Sequence, residues 1–136
     1  MKKQIDIDAL VAEAVPMRPN PQFAFTMPVR VDSETNGREH WAKKFGRKKG
    51  QKMALHLAWS AATGFLPRLV FLPCAIRLVR VGPKSLDSDN LGESFKAIRD
   101  QIAHEIGIDD GDARITWEYA QVPVGKRVYQ VRVEVY

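Results

Sequence analysis

The chain has 136 residues, 45% of them hydrophobic, and a formal net charge of +5. That suits one domain around one core, and a single cysteine, Cys74, excludes an internal disulfide framework. Asp6, Asp8 and Glu13 interrupt the apolar run a signal peptide needs, and no apolar stretch is long enough to span a bilayer. A cytoplasmic protein with no membrane role is therefore expected, and its positive balance points to a polyanionic partner without naming one.

Residues 1–21 are expected to be an arm, a short amphipathic helix or loose chain, closed by Pro16, Pro19 and Pro21 as a linker. One domain is expected over 22–136. From Phe23 to Val31 every second residue is apolar, which predicts a strand. Asn36-Gly37 marks a turn. A helix is predicted from His40 to Thr63, weakened at Gly46 and Gly50. Trp41 and Phe45, four apart, are expected to anchor it in the core, and Trp41 could also stack on a base. His56 falls on this helix with no evident partner.

Val70 to Gly82 reads as a second strand, apolar on both faces and hence central, with Cys74 as a small core residue. After Asp89 the spacing of Leu91, Phe95, Ile98, Ile102 and Ile106 predicts one continuous helix stopped by Gly107. On it Asp89, Glu93, Lys96 and Asp100 fall along one strip opposite the apolar face. Arg114–Val122 and Arg127–Tyr136 read as a hairpin about Pro123 and Gly125. The order is β-α-β-α-β-β, an α/β (α+β) domain with a mixed sheet.

Charge is segregated along this chain. Residues 86–112 hold eight of the sixteen acidic residues, with Asp87 and Asp89 one residue apart and Asp109, Asp110 and Asp112 crowded together. Like charges so close repel unless a cation sits between them. Asp87 and Asp89 lie where a central strand gives way to a helix, a common place for sites in open α/β sheets. If Asp110 reaches back across the sheet edge, three or four carboxylates converge. Mg²⁺ suits such oxygen donors, and Mn²⁺ is the alternative. A metal there would serve phosphodiester hydrolysis, with Lys96 stabilising charge at phosphorus or holding the attacking water. Helix capping by Asp87 or Asp89 and a plain turn at 109–112 are the simpler readings. Calcium-loop spacing fails at Leu91 and Ile98, and His40, His56 and His104 are too scattered for zinc.

Residues 38–52 are as one-sided in the other sense. Arg38, Lys43, Lys44, Arg47, Lys48, Lys49 and Lys52 against Glu39 give +6. A solvated helix face explains most such runs. Beside an acidic pocket, the run can instead grip phosphates while the pocket holds metal.

Asp87-Ser-Asp-Asn-Leu, then Lys96-x-x-x-Asp100, then Asp109-Asp110, with Asn36 and His40-Trp41 upstream, resembles the RusA-type Holliday-junction resolvases common in phages and prophages. The resemblance covers roughly residues 22–136. It implies a homodimeric, Mg²⁺-dependent endodeoxyribonuclease that binds branched DNA by its structure and nicks opposed strands. By position Asp87, Asp89 and Asp110 match metal-binding carboxylates, Lys96 the catalytic lysine and Asp100 a supporting acid. The compact family pattern has lysine where this chain has Glu93, which makes Glu93 a further candidate ligand. The alternatives are a structure-selective nucleic-acid-binding protein without cleavage, and a non-specific metal nuclease.

Overall fold

The computed structural model describes residues 6–32, 41–64 and 70–136. Asn36 and Arg38, and the side chain of Trp41, lie outside the described residues. Those described build one mixed α+β domain: α1 (Ile7–Ala14), β1 (Phe23–Met27), α2 (Trp41–Ala62), β2 (Cys74–Gly82), α3 (Ser88–Ser94), α4 (Lys96–Ile106), β3 (Ile115–Pro123) and β4 (Gln130–Val135). The strands form one sheet in the order β1–β4–β2–β3. β4 runs antiparallel to both β1 and β2, and β3 runs parallel to β2.

One face of the sheet carries the main core. Ile76 and Leu78 of β2, Val131, Val133 and Val135 of β4 and Phe23 and Met27 of β1 point to the same side, where Leu55 and Trp59 of α2 and Ile98 and Ile102 of α4 cover them. The expected alternation of burial runs past β1, since Val29 and Val31 are buried although the strand ends at Met27. The edge of the Trp59 ring meets Phe23, centroids 4.8 Å apart. Phe45 instead is 65% exposed, which corrects its expected role as a core anchor. Residues 42–50 of α2 contain no buried side chain, and the buried stripe of the helix begins at Gln51 and Leu55.

The expected hairpin is not formed. β4 lies on the far side of β2 from β3, and residues 124–129 step over the end of β2. Val124 N–H donates to the Gly82 carbonyl (2.9 Å) and Gly125 N–H to that of Pro83 (3.1 Å), so the crossing chain caps the strand it passes. Gly125 does this at φ 69°, where glycine is unstrained.

The single helix expected after Asp89 is broken. Phe95 (φ −94°, ψ 5°) divides α3 from α4 and drives its fully buried ring into the core, stacked on Tyr119. Arg99 repairs the break: its Nη1 donates to the Gly92 carbonyl (2.6 Å) and to the Tyr119 hydroxyl (2.9 Å). Gly107 ends α4 in the left-handed conformation, as its position predicts.

The second face is mixed. Val11 of α1 packs on Val79, Val81 and Val122. Beside this patch Glu134 is 0% exposed and accepts from Arg77 Nε and Nη2, Arg132 Nε and the Tyr136 hydroxyl. Arg77 also donates to the Pro16 carbonyl and Arg132 to that of Val15, which ties the N-terminal segment to the sheet. Burial pushes the Glu134 carboxyl up, but the hydrogen bonds from Arg77 and Tyr136 and the charge of Arg132 outweigh it and hold it below the usual range.

Candidate metal and nucleic-acid site

Asp87 and Asp89 stand exposed where the chain leaves the C-terminal end of β2. The backbone just before them is fixed. Gln121 of β3 reaches across, its Oε1 accepting from Leu86 N–H and its Nε2 donating to the Leu86 carbonyl, both at 2.8 Å. Asp87 is the N-cap residue of α3, yet its carboxylate makes no capping bond. Among the described residues it accepts a long 3.5 Å bond from Asn90 Nδ2. The simplest reading of Asp87, a helix cap, is therefore not its job here.

The 109–112 turn lies elsewhere. β3 starts at Ile115, opposite Cys74 at the start of β2, while Asp87 follows Gly82 at the other end. A nine-residue strand is about 26 Å from first to last Cα, so a parallel crossover carries the chain back to the far end of the strand pair. Asp110 is held there through its carbonyl, which accepts from Trp117 Nε1 (2.9 Å). Among the described residues no three His, Cys, Asp or Glu side chains gather as a metal-holding group. The expected meeting of Asp87, Asp89 and Asp110 inside one chain thus does not occur, and the parallel pairing of β2 with β3 is the reason.

The acidic side chains divide by partner. Asp112 accepts from Arg114 Nε (3.0 Å), Nη2 (2.9 Å) and N–H (2.9 Å), and these bonds lower its pKa to about 2. Asp100 lies 3.9 Å from Lys96 Nζ on the same helix, so Lys96 turns toward its i+4 neighbour rather than toward Asp87 or Asp89. His56, for which the sequence offered no partner, meets Glu105, to which Gln101 also donates (3.2 Å). Among the described residues no Lys, Arg or His pairs with Asp87, Asp89, Glu93, Asp109 or Asp110.

Lys43, Lys44, Arg47, Lys48, Lys49 and Lys52 all lie on α2. All but Lys52 belong to the half without buried side chains, and Lys43 and Lys49 are exposed. Gln51 marks where packing begins: it is buried, and its Nε2 donates to the Arg30 carbonyl (2.9 Å).

One cation near the acidic turn escapes a sequence reading. Arg80 of β2 is only 4% exposed, on the helix-bearing face. Its Nε donates to the Val31 carbonyl (2.9 Å), its Nη1 to that of Lys84 (2.7 Å), and its Nη2 lies 3.3 Å from Asp32 Oδ1. It joins the segment after β1 to the loop that carries Asp87. A Cβ at Gly82 would meet this guanidinium at 2.8 Å, so the glycine leaves room for it. The one available signal was an arginine in a strand otherwise apolar on that side.

The chain matches no protein-family model and no curated protein. No helix among the described residues is long and apolar enough to cross a membrane.

Proposed function

We propose that the protein is a metal-dependent endodeoxyribonuclease of RusA type, cutting Holliday junctions or other branched DNA as a homodimer. The observation that carries this reading is that, among the described residues, no Lys, Arg or His pairs with Asp87, Asp89 or Asp110, in a chain with five more cations than anions. Carboxylates left without a protein cation suit a bound one.

The residues fit Mg²⁺, which takes one or two carboxylates together with waters and substrate phosphates. Asp87 and Asp89 supply two hard oxygen donors at a turn fixed by Gln121. When bound, the metal would lower the pKa of a water and offset charge at phosphorus. A third carboxylate would come from a second subunit. β3 is an edge strand, so two copies can pair there about a two-fold axis. Antiparallel pairing centred near Tyr119 sets Trp117 of one strand beside Gln121 of the other. Trp117 holds the Asp110 turn and Gln121 holds Leu86. Asp110 of the partner subunit would then stand beside Asp87. Two such sites, related by the two-fold, suit two cuts in a four-way junction. The basic half of α2 offers cations to DNA phosphates, and Lys96 at the start of α4 remains the candidate to stabilise charge at phosphorus.

Cleavage of a synthetic four-way junction and of a linear duplex, with and without Mg²⁺, tests the reading. Paired nicks in the junction alone, only with metal, are expected. Binding without cleavage in any divalent metal would favour the non-catalytic binding protein, and equal cutting of both DNAs the non-specific nuclease. Asp89→Asn and Asp110→Asn should each lower cleavage by about 10²–10³-fold, the range for losing one preorganised electrostatic group. Mixed dimers of the two variants retain one intact shared site. Activity should therefore return on mixing, which sites confined to single chains cannot do.

A further inference from the structure

We propose that the cleft beside the acidic turn receives one unstacked nucleotide of the DNA, its base against Tyr129 and its phosphate toward Lys84 and Arg127. This deepens the reading above and needs its DNA substrate, but not its cleavage chemistry.

The cleft has a volume of about 370 Å³, near the lower end of small-ligand sites and enough for a single nucleotide. Its walls come from three segments: Asp32 after β1, Pro83 to Leu86 between β2 and α3, and Arg127 to Tyr129 before β4. It is built rather than left over. Arg80 lines it and bonds two of the three segments together, while the third is fastened across the end of β2 by the amides of Val124 and Gly125. Gln121 clamps Leu86 from beneath.

Its chemistry is mixed in the way a nucleotide is mixed. Pro83, Leu86 and the Tyr129 ring give apolar surface. Arg30 lies over one face of that ring, 4.4 Å from its centre, so a base would take the opposite face. Arg80, Lys84 and Arg127 give three positive charges against one carboxylate, Asp32, which Arg30 and Arg80 already answer. Lys84 and Arg127 are exposed and able to follow a phosphate. Asp87 comes directly after Leu86, so a nucleotide seated here sets its neighbouring phosphodiester next to the unpaired carboxylates.

A base must leave its stack to enter, and this is cheapest where pairing is already lost. Single-stranded ends and imperfectly paired branch points offer such bases more readily than a continuous duplex does. The cleft would therefore contribute to selection of branched over linear DNA.

The test uses the full chain in EDTA, where no metal-dependent cutting can occur. Fluorescein-labelled pentathymidylate is titrated by anisotropy, and ¹⁵N-labelled protein is titrated with unlabelled trithymidylate. Tyr129→Leu should weaken pentathymidylate about tenfold, within the range for one stacked base, and Tyr129→Phe should restore it. Arg127→Glu should weaken it by at least threefold. Shifts should centre on Lys84, Leu86, Arg127 and Tyr129. Shifts confined to α2, or wild-type binding by folded Tyr129→Leu and Arg127→Glu, would overturn the proposal. If Tyr129→Leu fails to fold, exposed Arg127→Glu decides it together with the shift map. Junction cleavage by the wild type, run separately in Mg²⁺, keeps the two failures apart. A protein that cuts junctions but shows no cleft shifts refutes the cleft alone, and one that fills the cleft but cuts nothing refutes the nuclease alone.

Discussion

Glu134 and the Asp87–Asp89 pair are both acidic groups beside β2, in opposite circumstances. Glu134, in the strand next to it, is out of water and meets two guanidiniums and a phenol. Asp87 and Asp89, at the end of β2, are exposed, and no Lys, Arg or His among the described residues pairs with either. Burial makes the difference. A carboxylate taken out of water must find donors inside the fold, so its pairing is a condition of folding. An exposed carboxylate is answered by water and can wait for a ligand. Cations are in excess along this chain, so the missing partner at the turn is not a matter of supply.

The largest effect on stability should come from the buried region. Glu134→Ala leaves Arg77 and Arg132 facing each other without a counter-charge. Breaking a buried pair this way costs about 3–5 kcal/mol, which for a domain of this size lowers the melting temperature by about 10–20 °C. An unchanged melting curve would mean that hydration, not Glu134, keeps these two arginines stable side by side.

Acid should act on the same group. The folded Glu134 carboxyl titrates below its ordinary value of about 4.3, so its stabilisation is fully present above that pH and fades as the pH falls through the folded value. Asp112, lowered to about 2, adds a loss of the same sign as the pH falls toward that value. Urea midpoints measured from pH 7 to pH 3 should fall below about pH 4, and Glu134→Gln should flatten that fall. A midpoint rising with acid would contradict the sign.

Much of the fold could be read from periodicity. The alternation of Val131, Val133 and Val135 fixes the last strand, whereas the spacing of Trp41 and Phe45 sets the buried stripe of α2 a few turns too early, since it lies at Leu55 and Trp59. Strand neighbours could not be read, because the six residues between β3 and β4 suit a wide hairpin or a crossover equally. Only the bonds of Val124 and Gly125 to the end of β2 decide between them. The helix break at Phe95 was hidden because its apolar spacing is that of an unbroken helix. The place of Asp110 was not legible: nearness in sequence keeps Asp87 and Asp89 together, but the parallel pairing of β2 with β3 sets the 109–112 turn at the opposite end of the strand pair. The charged pair Arg77 and Glu134 was legible in principle. Each faces away from its strand's main apolar row, and a reading that paired strands before judging faces would have set them side by side.

The smallest effect should come from the exposed turn. Asp89→Asn relieves repulsion from Asp87 but removes a charge from the first turn of α3, so in metal-free buffer its stability should stay within about 0.5 kcal/mol of wild type. Added Mg²⁺ separates the variants. A metal that binds only the folded chain stabilises it by RT ln(1 + [Mg²⁺]/Kd), about 0.4 kcal/mol when the concentration equals Kd and more as it rises. The wild-type denaturation midpoint should climb along this curve while Asp89→Asn stays flat. Parallel climbs in both would mean that Mg²⁺ binds somewhere other than the turn at the end of β2. A large loss of stability in metal-free Asp89→Asn would make that carboxylate a structural group, whatever it also does with a cation.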